Sequence, residues 1–256
     1  MIEPEKIISP WPGCLTVMET VSSTNDVIKM LAAKGAPEGT CVVAEQQTAG
    51  RGRMGRQFSS PKGMGIYLSI LLRPGVSPDR LLHFTAAAAV AVSIAIEKET
   101  GLSVGIKWVN DLLLDNQKLA GLLTELSVVN GVVDSLILGI GINCGQRAFP
   151  PELQGLATSF AMHGLTVDRN RLISAILSQI HTLRAAMLQT GWMAEYEKRC
   201  VTIGARIQVK KPEGLRKGRA VKISENASLL VAYDNGETEW IRSGEVSVRG
   251  LYGYVT

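Results

Sequence analysis

The period of apolar residues changes several times along the chain, and each change predicts an element. In "VSSTNDVIKMLAAKGAP" (residues 21–37), Ser22, Ser23 and Thr24 are N-cap types. Val27, Met30 and Leu31 then recur at helical spacing, and Gly35 with Pro37 ends the helix. "GTCVVAEQQ" is a short β-branched run and reads as a strand. Residues 48–63 have no apolar periodicity and predict a long loop, of a length that tends to be functional or mobile. "GIYLSILLRP" predicts a strand ended by Pro74, and Pro78 stands near the start of a helix running to about Glu97. "SVGIKWVNDLLLD" predicts strand, turn, strand, with a hairpin tip at Asn116 and Gln117 before "KLAGLLTELSVV". The turn at Asn130 and Gly131 leads into "GVVDSLILGIGIN", a further strand. Consecutive hairpins imply a mixed or largely antiparallel sheet.

Over 168–189, Leu172, Ile173, Ile176, Leu177 and Ile180 line one helical face, and a shorter helix spans 193–199. Composition changes at Val201. "ARIQVKK", "GRAVKIS", "LLVAY", "TEWIR" and "EVSVRG" are short strands separated by "PEG", "ENAS" and "DNGE", a pattern that predicts a small SH3-like barrel. The expected class is therefore α+β: a larger domain over 1–200 with packed helices, and a small barrel over 201–256.

The 256 residues suit that division, and 46% hydrophobic against 20% charged predicts a filled core. The net charge of +4 is mild: a solvated basic surface and a site for anions both fit it, and it does not by itself argue for nucleic acid. Cys14, Cys41, Cys144 and Cys200 form no metal-ligand spacing and read as reduced core thiols; His83 reads as packing. "MIEPEK" lacks an apolar leader, and the run 81–96 is expected to be a buried helix too short to cross a bilayer, so the expected location is the cytoplasm.

"TAGRGRMGRQF" contains Gly50-x-Gly52-x-x-Gly55, the dinucleotide fingerprint spacing. That reading also requires a helix directly after the glycines and an acid about 20 residues on. Here Pro61 and Gly63 lead into a strand, and no acid occurs between Glu45 and Asp79. What remains is a glycine loop with three guanidiniums, Arg51, Arg53 and Arg56, whose mutual repulsion anions would relieve; the loop is expected to order on binding. A solvated basic loop is the plainer alternative. "KWVND" (107–111) puts a cation, an amide and a carboxylate at a strand end, where Asp111 could hold Mg²⁺ or simply turn the chain. In "KLAGLLTE" (118–125), Ala120 and Gly121 leave room beside Lys118 for a ligand, unless Lys118 is merely solvated.

Together "SSTN" (22–25), "EQQTAGRGRMGR" (45–56), "KWVND", "KLAGLLTE" and "GIGIN" (139–143) resemble the biotin protein ligases, or biotin–[acetyl-CoA-carboxylase] ligases. The five pieces occur in that family's order over most of the first 200 residues. The resemblance implies a catalytic domain like that of class II aminoacyl-tRNA synthetases and a two-step reaction. Biotin and ATP give biotinyl-5′-AMP, and a lysine of a biotin carboxyl carrier protein then displaces AMP. It further implies biotin beside Ser23, Thr24, Gln47, Gly50, Arg51, Lys118, Gly121, Leu123, Gly139 and Gly141. ATP would lie by Arg53, Arg56, Phe58, Lys107, Asn110, Asp111, Lys118 and Asn143, with Mg²⁺ on Asp111. Lys118, Arg53, Arg51 and Asp111 would act in the chemistry, Asp111 also helping to deprotonate the incoming lysine.

Two positions depart from the family pattern. Val109 stands where K-W-P-N-D has proline, with a small effect expected, and Phe58 stands where some members have tryptophan. Some members carry an N-terminal DNA-binding domain and repress transcription. With "SSTN" at 22, the expectation is a form without that domain, without repressor function and without nucleic-acid or membrane partners. Both monomers and sheet-edge homodimers occur in the family. Lipoate–protein ligases share the chemistry and are the nearest rival. A nucleic-acid-binding module is the other rival, but it lacks aromatics among the arginines.

Overall fold

The computed structural model describes residues 1–211 and 214–242, and the backbone of 247–250. Pro212 and Glu213 of the "PEG" separator, and Glu245 and Val246 of the last predicted strand, lie outside the described residues. The larger sheet has seven strands in the order β1-β2-β3-β7-β6-β5-β4. They are β1 (Leu15–Val21), β2 (Cys41–Gln47), β3 (Gly65–Leu72), β4 (Gly105–Lys107), β5 (Asp111–Leu114), β6 (Gln117–Val129) and β7 (Val132–Asn143). The first two strands are parallel, as the intervening helix α1 (Thr24–Ala33) requires, and every other pairing is antiparallel. The expected mixed sheet is therefore present.

Strand β3 is buried at all eight positions because both of its faces are covered. Ile66, Leu68, Ile70 and Leu72 face the main core with α2 (Phe84–Thr100) and α3 (Arg169–Ala185). On the other face Leu71 joins Val42, Ile137, Ile28 and Ala32 under α1. That helix covers only one end of its face. Its first residues rest on Ser69; beyond them Gly139 pairs with Leu123, Gly141 with Gly121, and Gly121 with Asp111, leaving an uncovered floor with little side-chain bulk.

Several expectations need correction. In α1 the buried apolar positions are Ile28 and Ala32, whereas Met30 is exposed. Ser23 occupies the N-cap position but its side chain caps nothing. The helix expected from Pro78 is a 3-10 turn at Pro78–Leu81 followed by α2. Together these run 23 residues (Pro78–Thr100) and contain an 18-residue stretch of mean hydropathy 1.5, so length and composition alone would permit a membrane crossing. The alanine-rich α2 is instead largely buried, with Ala86, Ala87, Ala88 and Ala89 all inside the core, small enough to let α3 pack closely. The hairpin tip lies at Asp115 and Asn116, both at positive φ, one residue earlier than expected. Cys14 is exposed, while Cys41, Cys144 and Cys200 are buried; burial pushes the Cys41 and Cys144 thiols up to about 12, so they pack rather than react. His83 packs as expected, stacked on Trp192 and bonded to the Met187 carbonyl.

After α4 (Met193–Arg199) a second, wholly antiparallel sheet of five strands runs β11-β10-β9-β8-β12. Its strands are β8 (Arg206–Lys211), β9 (Gly214–Ile223), β10 (Leu229–Tyr233), β11 (Thr238–Ile241) and β12 (Ser247–Gly250). Its inner residues, among them Ile207, Val231 and Ile241, belong to the same hydrophobic cluster as the main core. The junction is the β4–β5 turn. Trp108 N–H donates to Thr202 Oγ1 (2.9 Å), the indole Nε1–H donates to the Ala227 carbonyl (2.9 Å), and Val201 N–H donates to the Ile106 carbonyl (3.0 Å). The Trp108–Val109 peptide is cis. Trp108→Phe keeps most of the apolar surface but orphans the Ala227 carbonyl, so a loss of about 2 kcal/mol is expected from the denaturation midpoint.

Candidate active site

One cavity of about 220 Å³ lies on the uncovered floor. Its far end is built by α1 and β2. Gln47 Oε1 accepts from Thr24 N–H (2.9 Å) and from Thr24 Oγ1 (3.1 Å), and Gln47 Nε2 donates to Ser60 Oγ (2.9 Å). Ser69 Oγ donates to Asn25 Oδ1 (2.6 Å) and lies 2.7 Å from Thr24 Oγ1, while Asn25 Nδ2 donates to Glu125 Oε2 (2.5 Å). This network holds Ser23, Thr24 and Asn25 against the floor. Gly139 is required beneath it, since a Cβ there would come within 2.3 Å of Asn25 Oδ1. Gly139→Ala therefore displaces a side chain fixed by two partners. An expected loss of about 1–3 kcal/mol, read by thermal melting, reflects that overpacking.

The glycine loop is not the irregular segment that its sequence suggests. Phe58 N–H donates to the Gly50 carbonyl (2.9 Å), Gly52 N–H donates to the Arg56 carbonyl (2.7 Å), and Arg51 pairs with Gln57, making a narrow flap. Its tip is a 3-10 turn at Arg53–Gly55 with Met54 at φ 57°. Phe58 projects onto the floor, where a Cβ on Gly141 would lie 2.6 Å from its ring. The bare glycine lets the ring sit there.

The three arginines of the flap take different directions, although Arg53 and Arg56 still repel each other. Arg51 turns away to Asp26 on α1, donating through both Nη atoms to the two carboxylate oxygens (2.7 and 2.6 Å). It lines the cavity with its charge already paired to Asp26. Arg53 turns inward and donates to Asn110 Oδ1 (3.0 Å). Burial lowers the Arg53 pKa and Arg56 adds to that, while Asp111 opposes it. A guanidinium so placed stays charged and is poorly hydrated, ready for an anion. Arg56 also lines the cavity.

The near end is the "KWVND" turn with the start of β6. Asn110 Nδ2 donates to the Leu122 carbonyl (2.7 Å), tying the turn to β6 and presenting Oδ1 to Arg53. Lys118 Nζ pairs with Asp111 Oδ1 at 2.7 Å, and both lie over Gly121, whose missing Cβ would be 3.1 Å from Nζ. Lys107 is buried in the wall. Asn143 lines the cavity, but its amide donates to the Thr158 carbonyl (3.0 Å) and its Oδ1 accepts from Gln146 (3.1 Å). Its visible work is therefore to tie down residues 143–158. Gly50 is the one expected contact that does not line the cavity. It sits beneath the flap, where a Cβ would be 2.5 Å from the Phe58 carbonyl oxygen.

The sequence reading missed Asn25, Trp108 and the segment carrying Phe149, Leu153, Leu156 and Ala157, all of which line the cavity. Lys118 N–H donates to the Leu156 carbonyl, which lays that segment beside β6. Asn25 stood inside "SSTN" and could have been found there; the 149–157 segment carries no local signal.

Among the described residues the lining holds five cations, Arg51, Arg53, Arg56, Lys107 and Lys118, against one acid, Asp111. Among the same residues no cluster of three His, Cys, Asp or Glu could hold a metal unaided. One carboxylate suits a magnesium ion whose remaining ligands are phosphate oxygens and water.

Fold and cavity thus define a class: an α+β protein that gathers anionic small molecules on a glycine floor beneath a cationic flap. Residues 17–143 match the Biotin/lipoate A/B protein ligase family. The bifunctional ligase/repressor BirA of Bacillus spizizenii is 37% identical over 228 residues, covering 87% of this chain and 70% of that protein. A biotin–[acetyl-CoA-carboxylase] ligase of Mycobacterium tuberculosis is 33% identical over 250 residues, covering 93% and 90%. The biotin protein ligase of Aquifex aeolicus, solved with biotin and ATP, superposes with a TM-score of 0.78 at 31% identity, covering 94% of this chain and all of that one. The chain belongs to the biotin/lipoate A/B protein ligase family, on its biotin protein ligase side, as the sequence motifs implied.

Proposed function

We propose that this enzyme joins biotin to ATP as biotinyl-5′-AMP and passes the biotinyl group to a lysine of a biotin carboxyl carrier protein. The observation that carries the reading is that Arg53, Arg56, Lys107 and Lys118 face a single acid, Asp111, among the described lining residues, on a glycine-rich floor. Two anions must meet for a carboxylate to attack a phosphate, and fixed positive charge lowers the cost of bringing them together. In the first step a biotin carboxylate oxygen bonds to the α-phosphorus, and pyrophosphate leaves with the electrons of the broken P–O bond. In the second, a lysine ε-amine attacks the acyl carbon, an amide forms, AMP leaves and the amine loses a proton.

Ser23, Thr24 and Gln47 supply donors and acceptors for the ureido ring, over Gly139, Gly141 and Leu123. Lys118 stands where the carboxylate and the α-phosphate meet. Arg53, Arg56, Lys107 and Asn110 face the phosphates, with Phe58 giving an apolar face to the ligand. Asp111 would hold magnesium, which would neutralise the phosphate charge, and, as the acid lining the cavity among the described residues, it would help to deprotonate the incoming amine. We read the larger sheet as a class II synthetase-like catalytic domain over 1–200 and the smaller sheet as an SH3-like domain over 201–256. The name of the mycobacterial relative supports a carboxylase carrier as acceptor.

The test is a chromatographic assay of purified protein with ATP, magnesium and either biotin or lipoate. Biotinyl-5′-AMP and pyrophosphate are expected with biotin. Absence of that adenylate, or a clear preference for lipoate, would overturn the proposal.

A further inference from the structure

The stem of the flap carries contacts that the ligation chemistry does not use. Arg51 meets Asp26 through two parallel hydrogen bonds of 2.7 and 2.6 Å, a planar fork that fixes orientation as well as distance. Its Nη2 also stands 3.8 Å from Glu125 Oε2, on β6. Glu125 accepts from Asn25 Nδ2 at 2.5 Å, so the two acids and the arginine are one connected group. Neither Asp26 nor Glu125 lines the cavity.

The side chains of Arg51 and Asp26 are 38% and 40% exposed, a setting in which an ion pair adds little to global stability. The consequence is geometric. Arg51 pairs with Gln57 across the flap, so fixing Arg51 fixes both of its strands. Arg53, two residues on, is thereby aimed at Asn110. The three groups come from a helix, a strand and the flap, and the chain entering the flap is also held by the backbone bonds Thr48 N–H to Val21 carbonyl and Ala49 N–H to Ser22 carbonyl.

We propose that Asp26 and Glu125 are positioning residues that latch the flap through Arg51 and hold it over the cavity without touching ligand. The latch deepens the ligase reading and rests on it for one of two tests. The first test uses no ligand: tryptic cleavage after Arg53 and Arg56 in the intact protein. Asp26→Asn is expected to be cut about tenfold faster than the native protein and Glu125→Gln about threefold faster, because an unlatched flap opens more often. Asp26→Glu restores a carboxylate and should return cleavage to within about threefold of the native rate. Melting temperatures should move by no more than about 2 °C, as expected for a solvent-exposed pair.

The second test follows escape of preformed biotinyl-5′-AMP. It should quicken about tenfold in Asp26→Asn, with kcat for adenylate formation within about twofold of native, since the pair closes the site and touches no reacting atom. Equal cleavage rates in all variants, or an Asp26→Glu variant as open as Asp26→Asn, would overturn the latch. If the native protein makes no adenylate, the ligase reading fails while the cleavage test of the latch still stands.

Discussion

Lys118→Ala is expected to slow adenylate formation by about a thousandfold, the scale seen when one donor aimed at developing charge is removed. The ammonium stands 2.7 Å from Asp111, directly over Gly121, at the point where a carboxylate and a phosphate would approach. Its positive charge counts most as the two anions begin to bond, so the loss should appear in kcat more than in KM. Folding should survive. The Lys118 backbone is held by the Leu156 carbonyl and by Thr158 N–H whatever its side chain, and Asp111 is not sealed from water. Lys118→Arg should rescue little, because a planar guanidinium is wider than an ammonium and the space over Gly121 is shaped for the smaller group. Single-turnover pyrophosphate release, run beside a thermal melt, reads both parts. A folded variant within about tenfold of the native rate would remove Lys118 from the centre of the chemistry.

The features legible in the sequence were those in which neighbours in the chain are also neighbours in space. Five apolar residues of α3 share one face and all five are buried, because helical periodicity is a local property. The order "KWVND" then "KLAG" gave the near end of the cavity because a tight hairpin joins the two strands and the register sets Asp111 opposite Gly121. The glycines of "GIGIN" pointed to the floor for a similar reason, since alternate residues of a strand share a face. Which flap arginine turns to α1 and which to the β4–β5 turn was not legible. Arg51 and Arg53 are two residues apart with the same side chain, and what separates their fates is Asp26 for one and Asn110 for the other. Those partners lie 25 and 57 residues away, beyond the reach of any pattern within the loop. Glu125 illustrates the same limit: nothing within "KLAGLLTE" reveals that it closes a network with an asparagine 100 residues earlier.

Arg53→Ala is expected to let the acyl adenylate escape about a hundredfold faster, so that lysines of bystander proteins become biotinylated in solution. Arg53 is a flap residue that reaches the near end of the cavity, bonded to Asn110 and electrostatically coupled to Asp111 there. Removing it breaks the closure at the cavity mouth and deletes a cation that would hold the phosphate of the intermediate. Both changes act on the bound state more than on the first bond-forming step, where Lys118 remains. Adenylate formation should therefore fall less than release rises, and a mixed anhydride would leave the site still reactive. The closure also distinguishes this variant from Asp26→Asn, which loosens the flap stem but keeps the guanidinium. Arg53→Lys retains charge without the planar fork and should lie between the two. The measurement is a filter-based release assay of labelled adenylate, paired with streptavidin blotting of albumin added as bystander. Release and labelling both at native levels would mean that the flap does not retain the intermediate through this residue. Rapid release with unchanged binding of ATP would instead assign Arg53 to closure alone, leaving Arg56 and Lys107 to hold the phosphates.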